Sequence, residues 1–311
     1  EWLHRLLGRI FFFLVLVPFL VLRLLGVVPR HLTPKVLIIL GLVMLQGLAG
    51  WLMVRSGLAT DVKVNPTWLA IHLTLATIIF GALLAMALGQ DDRPAPANAV
   101  TAHARLSARV LVALAFAMIV LGALVAGNRA GWLFTVPQVL GAPLISASYF
   151  TRSPWYINFV ESDWMVMANH RTVAFILLGW AILHLRAISR QEDDGALRWG
   201  ARLVLGLVAA QVLYGIFVLF QAVIPWWLGL LHQLAAFIVF SATIWHLYEV
   251  ERRPSMEAPN WVPPARKEES TTAALPAAAA ARSEIMPEAR RDALLRAEAL
   301  IRGSSGSQRK P

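Results

Sequence analysis

The sequence contains no cysteine. That excludes disulfides, thiolate metal ligands, cysteine-held metal clusters and the thioether attachment of a c-type haem. Charge is also scarce: 15% of the 311 residues are Asp, Glu, Lys or Arg, against 58% hydrophobic residues. A soluble domain of this length carries far more. Acidic residues are the scarcer sign, 18 against 28 Lys and Arg, which leaves a net charge of +10. No basic stripe with interleaved aromatics accompanies that excess, so it is not a nucleic-acid footprint. It reads as loop and tail cations beside an anionic lipid surface. A Walker loop, a GxGxxG turn, an HExxH helix and a nucleophile elbow are all missing.

Long apolar runs are abundant, and the mean hydropathy is +0.62. Seven spans are expected, at Leu6–Leu25, Pro34–Val54, Pro66–Leu88, Ala108–Ala126, His170–Ile188, Gly200–Ala222 and Leu228–Tyr248. Each has about 19 to 23 residues, enough at about 1.5 Å per residue to cross a hydrocarbon core of about 30 Å. Pro18 is expected to kink the first span. The predicted fold class is an all-α polytopic membrane protein. The polar start Glu1–Arg5 lacks the n-region and cleavage site of a signal peptide, so the chain is expected to begin inside a larger protein.

The connection from Gly127 to Asn169 is long and rich in aromatics: Trp132, Tyr149, Trp155, Tyr156 and Trp164. It suits a cap lying in the membrane interface. From Glu251 to Pro311 the chain is polar and rich in Pro and Ala, and is expected to be a mostly disordered tail with one amphipathic stretch at Glu288–Ile301. Lys and Arg concentrate in one set of connections (Arg23, Arg30, Lys35, Arg93, Arg105, Arg109, Arg186, Arg190, Arg198, Arg202) and in the tail. The positive-inside rule puts that side and the tail in the cytoplasm, and the long loop outside.

An internal repeat is visible. Leu40-Gly41-Leu42-Val43 with Gln46 answers Leu205-Gly206-Leu207-Val208 with Gln211. His4-Arg5 answers His170-Arg171, and His72 answers His232. The first three spans therefore repeat as the last three, and the fourth lacks a mate. A pseudo-twofold repeat of four-helix bundles would have eight helices, so a further span is expected ahead of Glu1. The halves divide as 1–89 and 108–250, with 90–107 as a cytoplasmic linker, 127–169 as the outer loop and 251–311 as the tail.

Ionisable groups inside a membrane are costly and usually functional. His4, His72, His170 and His232 all fall near the outer ends of their spans, at one depth. Two helices that present histidines at one depth can hold a haem iron between them. The pairs His4 with His72, and His170 with His232, meet that need in each half, so cofactor chemistry is expected to come from haem. No other metal site is expected. Arg5 and Arg171 are placed to meet haem propionates or simply to anchor the interface. Glu1 lies three residues before His4, which puts both side chains on one face of a helix. It is either a carboxylate favoured by the helix dipole or a group acting at the haem. Gln46 and Gln211 are expected to bond between helices. His184 and His246 each lie 14 residues beyond a paired histidine, about 21 Å along a helix, which leaves open a second haem stacked below the first.

These motifs together resemble the heme A synthases, most closely their proteobacterial and mitochondrial type. The resemblance is carried by Glu1-Trp2-Leu3-His4-Arg5, by Leu45-Gln46-Gly47 with Gly50-Trp51-Leu52-Met53-Val54-Arg55, by Ala70-Ile71-His72-Leu73, by Val125-Ala126-Gly127, by Asn169-His170-Arg171 and by Leu231-His232-Gln233. It covers about residues 1–246. It implies eight helices in two four-helix halves, of which this chain would lack the first. The implied activity is that of an oxidoreductase acting on a CH group, turning the methyl group of heme O into the formyl group of heme A for cytochrome oxidase, with oxygen derived from water. It implies that His4 and His72 frame the substrate haem, that His170 and His232 are the axial ligands of a heme b cofactor, and that Glu1 is the catalytic carboxylate. It also implies the bacterial inner membrane, haem sites toward the periplasm, a heme O synthase and an electron-transfer protein as partners, and compatibility with a homo-oligomer. The family's Asn-Thr-Phe-Pro-like run is here Phe134-Thr135-Val136-Pro137, and the outer-loop cysteine pair of other members is missing. From the residues alone, the rival readings are a non-catalytic diheme b-type cytochrome exchanging electrons with quinol and a haem-carrying oxidase assembly factor.

Overall fold

The computed structural model describes residues 2–57, 64–132, 149–191, 195–221 and 224–256. Its long helices are α1 (Trp2–Leu24), α2 (Thr33–Gly57), α3 (Pro66–Leu88) and α4 (Ala102–Gly127) in the first part of the chain. After them come a short α5 (Asn158–Glu161), then α6 (Asp163–Ser189), α7 (Gly195–Leu219) and α8 (Trp226–Glu251). Seven of these are long and apolar enough to cross a membrane, and the protein is an all-α polytopic membrane protein.

Local chemistry sets the helix ends. Asn65 caps α3: its side-chain oxygen accepts from the backbone N–H groups of Thr67 at 2.9 Å and Trp68 at 3.3 Å, and Pro66 fills the first position, where no N–H is needed. Thr101 caps α4 by accepting from Ala104 N. Ser162 caps α6 by accepting from Met165 N. These caps lengthen two helices beyond the apolar spans. α4 starts at Ala102 rather than Ala108, and α6 at Asp163 rather than His170. The added turns are polar or mixed, so hydropathy does not count them, whereas backbone hydrogen bonding does. α1 runs through Pro18 without a break. It turns back at Gly26, whose φ of 71° is the left-handed conformation glycine adopts freely, and Val27 N donates to Leu22 O across the turn.

α4, α6, α7 and α8 form a closed ring, each packed on the next. Leu111, Leu177, Ala181, Val204, Val208 and Val239 fill its middle. α3 packs on α4 and α8, α2 on α3, and α1 on α2. By sequence position, α1, α2 and α3 are the repeat counterparts of α6, α7 and α8, and α4 has no counterpart among the described residues. Phe80 of α3 and Phe240 of α8, repeat mates, approach with ring centroids 6.5 Å apart where the halves meet. Phe237 and Phe116 complete that contact from α8 and α4. α1 leaves most of its apolar side chains exposed, with Phe19 its buried residue.

The end of the bundle opposite the four paired histidines is tied by charge. Arg105 of α4 meets Glu251 of α8 at 2.7 Å and also donates to Arg253 O, while Arg109 bonds the other oxygen of Glu251 at 2.9 Å. Arg93, in the α3–α4 connection, bridges Asp91 and Glu249. Arg93 holds the Asp91 carboxyl well below the usual carboxylate range. That pairing therefore adds stability at neutral pH, which disappears only as pH falls through the lowered pKa. Val100 N donates to Pro254 O and Met256 N to Val100 O, so the segment just after α8 is strapped to the start of α4. The described residues continue to Met256, past the Glu251 boundary expected for the tail. The remainder, 257–311 with Glu288–Ile301, lies outside the described residues. Removing Glu251 leaves Arg105, with 15% side-chain exposure, without its carboxylate. Glu251→Ala is expected to destabilise by about 1–3 kcal/mol, read as a lower Tm in detergent; an unchanged Tm would show the clamp to be ornamental.

Candidate haem sites

The helix starts place His72 six residues into α3 and His232 six residues into α8, with His170 seven into α6. At about 1.5 Å per residue, all three lie about 9 to 10 Å from the helix starts. His4 lies in the first turn of α1. The structure brings the expected partners together. The rings of His4 and His72 lie 6.2 Å apart, edge to face at 68°. His170 and His232 stand at one depth on α6 and α8, the first against Gly122 and the second against Gly215. Arg5 and Arg171 follow the outer histidines on α1 and α6, and both take part in interactions within the protein. Glu1 lies outside the described residues, as do Phe134-Thr135-Val136-Pro137.

Glycines make room for these rings. A Cβ on Gly50 of α2 would lie 2.9 Å from His72 Cε1, and one on Gly215 of α7 would lie 3.0 Å from His232 Cε1. Gly122 of α4 faces His170 Cε1 at 3.6 Å. Gly50 and Gly215 occupy corresponding places in the two halves, so each histidine of α3 and α8 rests on a glycine of the preceding helix. Gly122 was not evident from sequence because it lies on the helix that has no repeat mate. Tyr214, also unanticipated, stacks on His232 at 5.7 Å and 20°, and its hydroxyl donates to Leu228 O.

The residues present suit a bis-histidine haem in each half. The donors are imidazoles paired across helices, the usual haem ligands. The glycines clear space beside the rings. His72 Nδ1 and His170 Nδ1 are buried without a hydrogen-bond partner, which is costly in an apolar setting and marks rings that still have bonding capacity. Among the described residues, no group of three or more His, Asp or Glu gathers to hold a bare metal ion.

His184 and His246 form a second tier with a different state. They sit 14 residues along α6 and α8 from the first tier, and the other two helices follow in step. Ser107 of α4 and Gly200 of α7 stand 15 residues before Gly122 and Gly215. Here the imidazoles bond directly, Nε2 to Nε2 at 2.9 Å, and His184 Nδ1 bonds Ser107 Oγ at 3.0 Å. Both rings are 1% exposed. An iron between two imidazoles needs nitrogens about 4 Å apart, twice a metal–imidazole bond of about 2 Å. The neighbouring Ala104, Ala108, Ile188, Leu197, Ala201 and Val250 are almost fully buried. The lower tier is a hydrogen-bonded pair that joins α6 to α8, with His246 Nδ1 buried and left without a partner.

Residues 1–244 match the protein family described as COX15-CtaA, cytochrome oxidase assembly protein. Among similar proteins, one named Heme A synthase from Rhodopseudomonas palustris (strain BisA53) is 39% identical over 262 residues, covering 84% of this chain and 71% of the relative. Another protein of that name, from Methylobacterium sp. (strain 4-46), is 42% identical over 251 residues, covering 79% and 68%. A third, from Azorhizobium caulinodans, is 39% identical over 255 residues, covering 81% and 72%. No solved structure matches the chain.

Proposed function

The chain belongs to the COX15-CtaA family of cytochrome oxidase assembly proteins, and from that premise we propose that it is a heme A synthase. Its reaction converts heme O to heme A by oxidising one methyl group to a formyl group. With water as the oxygen source, methyl plus water gives formyl plus four protons and four electrons. An electron-transfer protein accepts the electrons, a heme O synthase supplies the substrate, and a homo-oligomer is compatible with the exposed apolar helices.

The observation that carries this reading is the repeated constellation of a histidine on an outer helix, a histidine on a facing helix and a glycine beneath the second ring. The first-half pair, His4 and His72, frames the substrate. His4 is exposed and opens α1, which suits a ligand that must exchange. The second-half pair, His170 and His232, ligates the resident heme b, where rings, glycines and Tyr214 enclose the site more fully. When bound there, a bis-imidazole haem supplies one-electron transfer. Arg5 and Arg171, at the same end, pair with propionates. Glu1, three residues before His4 in sequence, takes the proton from the incoming water or balances positive charge growing at the methyl carbon.

The protein is a multi-pass membrane protein of the bacterial inner membrane in this reading. Its Arg-rich clamp and tail face the cytoplasm, and its haem sites face the periplasm. The test is extraction of pigments after co-expression with a heme O synthase. Heme A should accumulate together with a non-exchanging heme b. Heme b alone, with heme O untouched, would instead identify a non-catalytic cytochrome.

A further inference from the structure

We propose that Gln46 and Gln211 are positioning residues that orient His72 and His232 toward iron, and that their unequal anchoring makes one haem exchangeable and the other resident. The inference rests on the reading that these histidines ligate haem iron. The two glutamines are repeat mates on α2 and α7, and each lies one helical turn before the glycine that supports the ring, Gly50 or Gly215. The helix period therefore sets amide and glycine on one face, under the same imidazole.

Both amides reach the ring on the next helix. Gln46 Nε2 lies 3.2 Å from His72 Nε2. Gln211 Nε2 lies 3.3 Å from His232 Nδ1 and 3.4 Å from its Nε2. Three polar atoms are left over: Gln46 Oε1, Gln211 Oε1 and His72 Nδ1 are buried without partners among the described residues. An amide oxygen that only accepts thus stands beside an imidazole that has an N–H to give. Metal-bound histidines almost always donate their second ring N–H to such an acceptor, which fixes the ring and raises its basicity. In the first half, turning the amide so that Gln46 Oε1 accepts from His72 Nδ1–H satisfies both leftover groups and frees His72 Nε2 for iron.

The anchoring differs between the halves. Gln211 also donates to His232 O at 2.8 Å, and the ring it holds is stacked on Tyr214. Gln46 makes no second side-chain bond among the described residues, and its ring meets the exposed His4 edge to face. One amide is pinned at two points and the other at one. The pinned histidine suits a ligand that never lets go. The singly held one suits a ligand that releases its haem when the product leaves.

The test compares full-length wild type with Gln211→Leu, Gln211→Glu, Gln46→Leu and His232→Ala, each purified with its haem. For Gln211, the readouts are haem per protein, midpoint potential and the ferric low-spin signal. Gln211→Leu should retain haem about 10- to 100-fold less tightly and raise the potential. Gln211→Glu, a stronger acceptor, should restore retention and lower the potential below wild type. Gln46→Leu should leave those readouts unchanged while raising the KM for heme O more than it lowers kcat. Loss of the low-spin haem in His232→Ala, with both Gln211 variants matching wild type in potential and signal, would overturn the inference alone. Retention of that haem in His232→Ala would overturn the ligand reading and the inference with it. An unchanged KM in Gln46→Leu would overturn the exchange role of the first half.

Discussion

Purified His232→Ala protein is expected to lose its resident heme b. Haem affinity should fall by more than the roughly 10–100-fold that removing a supporting residue causes, because an axial ligand is lost outright, and the haem-to-protein ratio should fall with it. His232 is enclosed by Gly215, Gln211 and Tyr214, so no side chain of similar chemistry stands ready to replace it. The reduced visible spectrum and extracted pigment measure the effect. The control is His246→Ala, in the lower tier. There the variant leaves His184 Nε2 without its 2.9 Å partner in a buried site, which should destabilise by about 1–3 kcal/mol with haem content intact. A haem lost in His246→Ala and kept in His232→Ala would reverse the assignment of the two tiers.

Glu1→Ala is expected to abolish heme A formation while the heme b spectrum stays that of wild type. General acid–base groups contribute about 10²–10⁴-fold, so heme O should accumulate in place of heme A to near completion in co-expressing cells. Glu1→Asp keeps the carboxylate on a shorter arm and should recover part of the activity. Unchanged heme A in Glu1→Ala would remove the residue from the chemistry and leave it as a helix-end charge favoured by the dipole.

The fold was legible where physics acts on composition. Seven long apolar runs need lipid, and the helices follow them closely at Pro66–Leu88, where Asn65 and Pro66 mark the start. The helix starts at Ala102 and Asp163 were not legible, because capped polar turns contribute hydrogen bonds and little hydropathy. The pairing of His4 with His72 was legible through the repeat, since equal depth on neighbouring helices leaves few partners. That Gln46 and Gln211 bond between helices was legible as well; which group each amide bonds was not. A mid-span amide can bond any neighbour, and only helix packing chooses the imidazole.

Sequence alone determined the membrane class, the repeat, the four histidines and the family resemblance, because hydropathy, spacing and residue identity carry those directly. Tertiary structure decided what separates chemically identical histidines. Two tiers, 14 residues apart on the same helices, share one pattern of ring and small residue, yet only the lower one closes into a direct imidazole bond. Sidechain separation across a bundle depends on how closely α4, α6, α7 and α8 approach at that level, and the dense alanine and valine packing below brings the rings together. Above it, the amide of Gln211 rather than a second imidazole lies within bonding distance of the His232 ring.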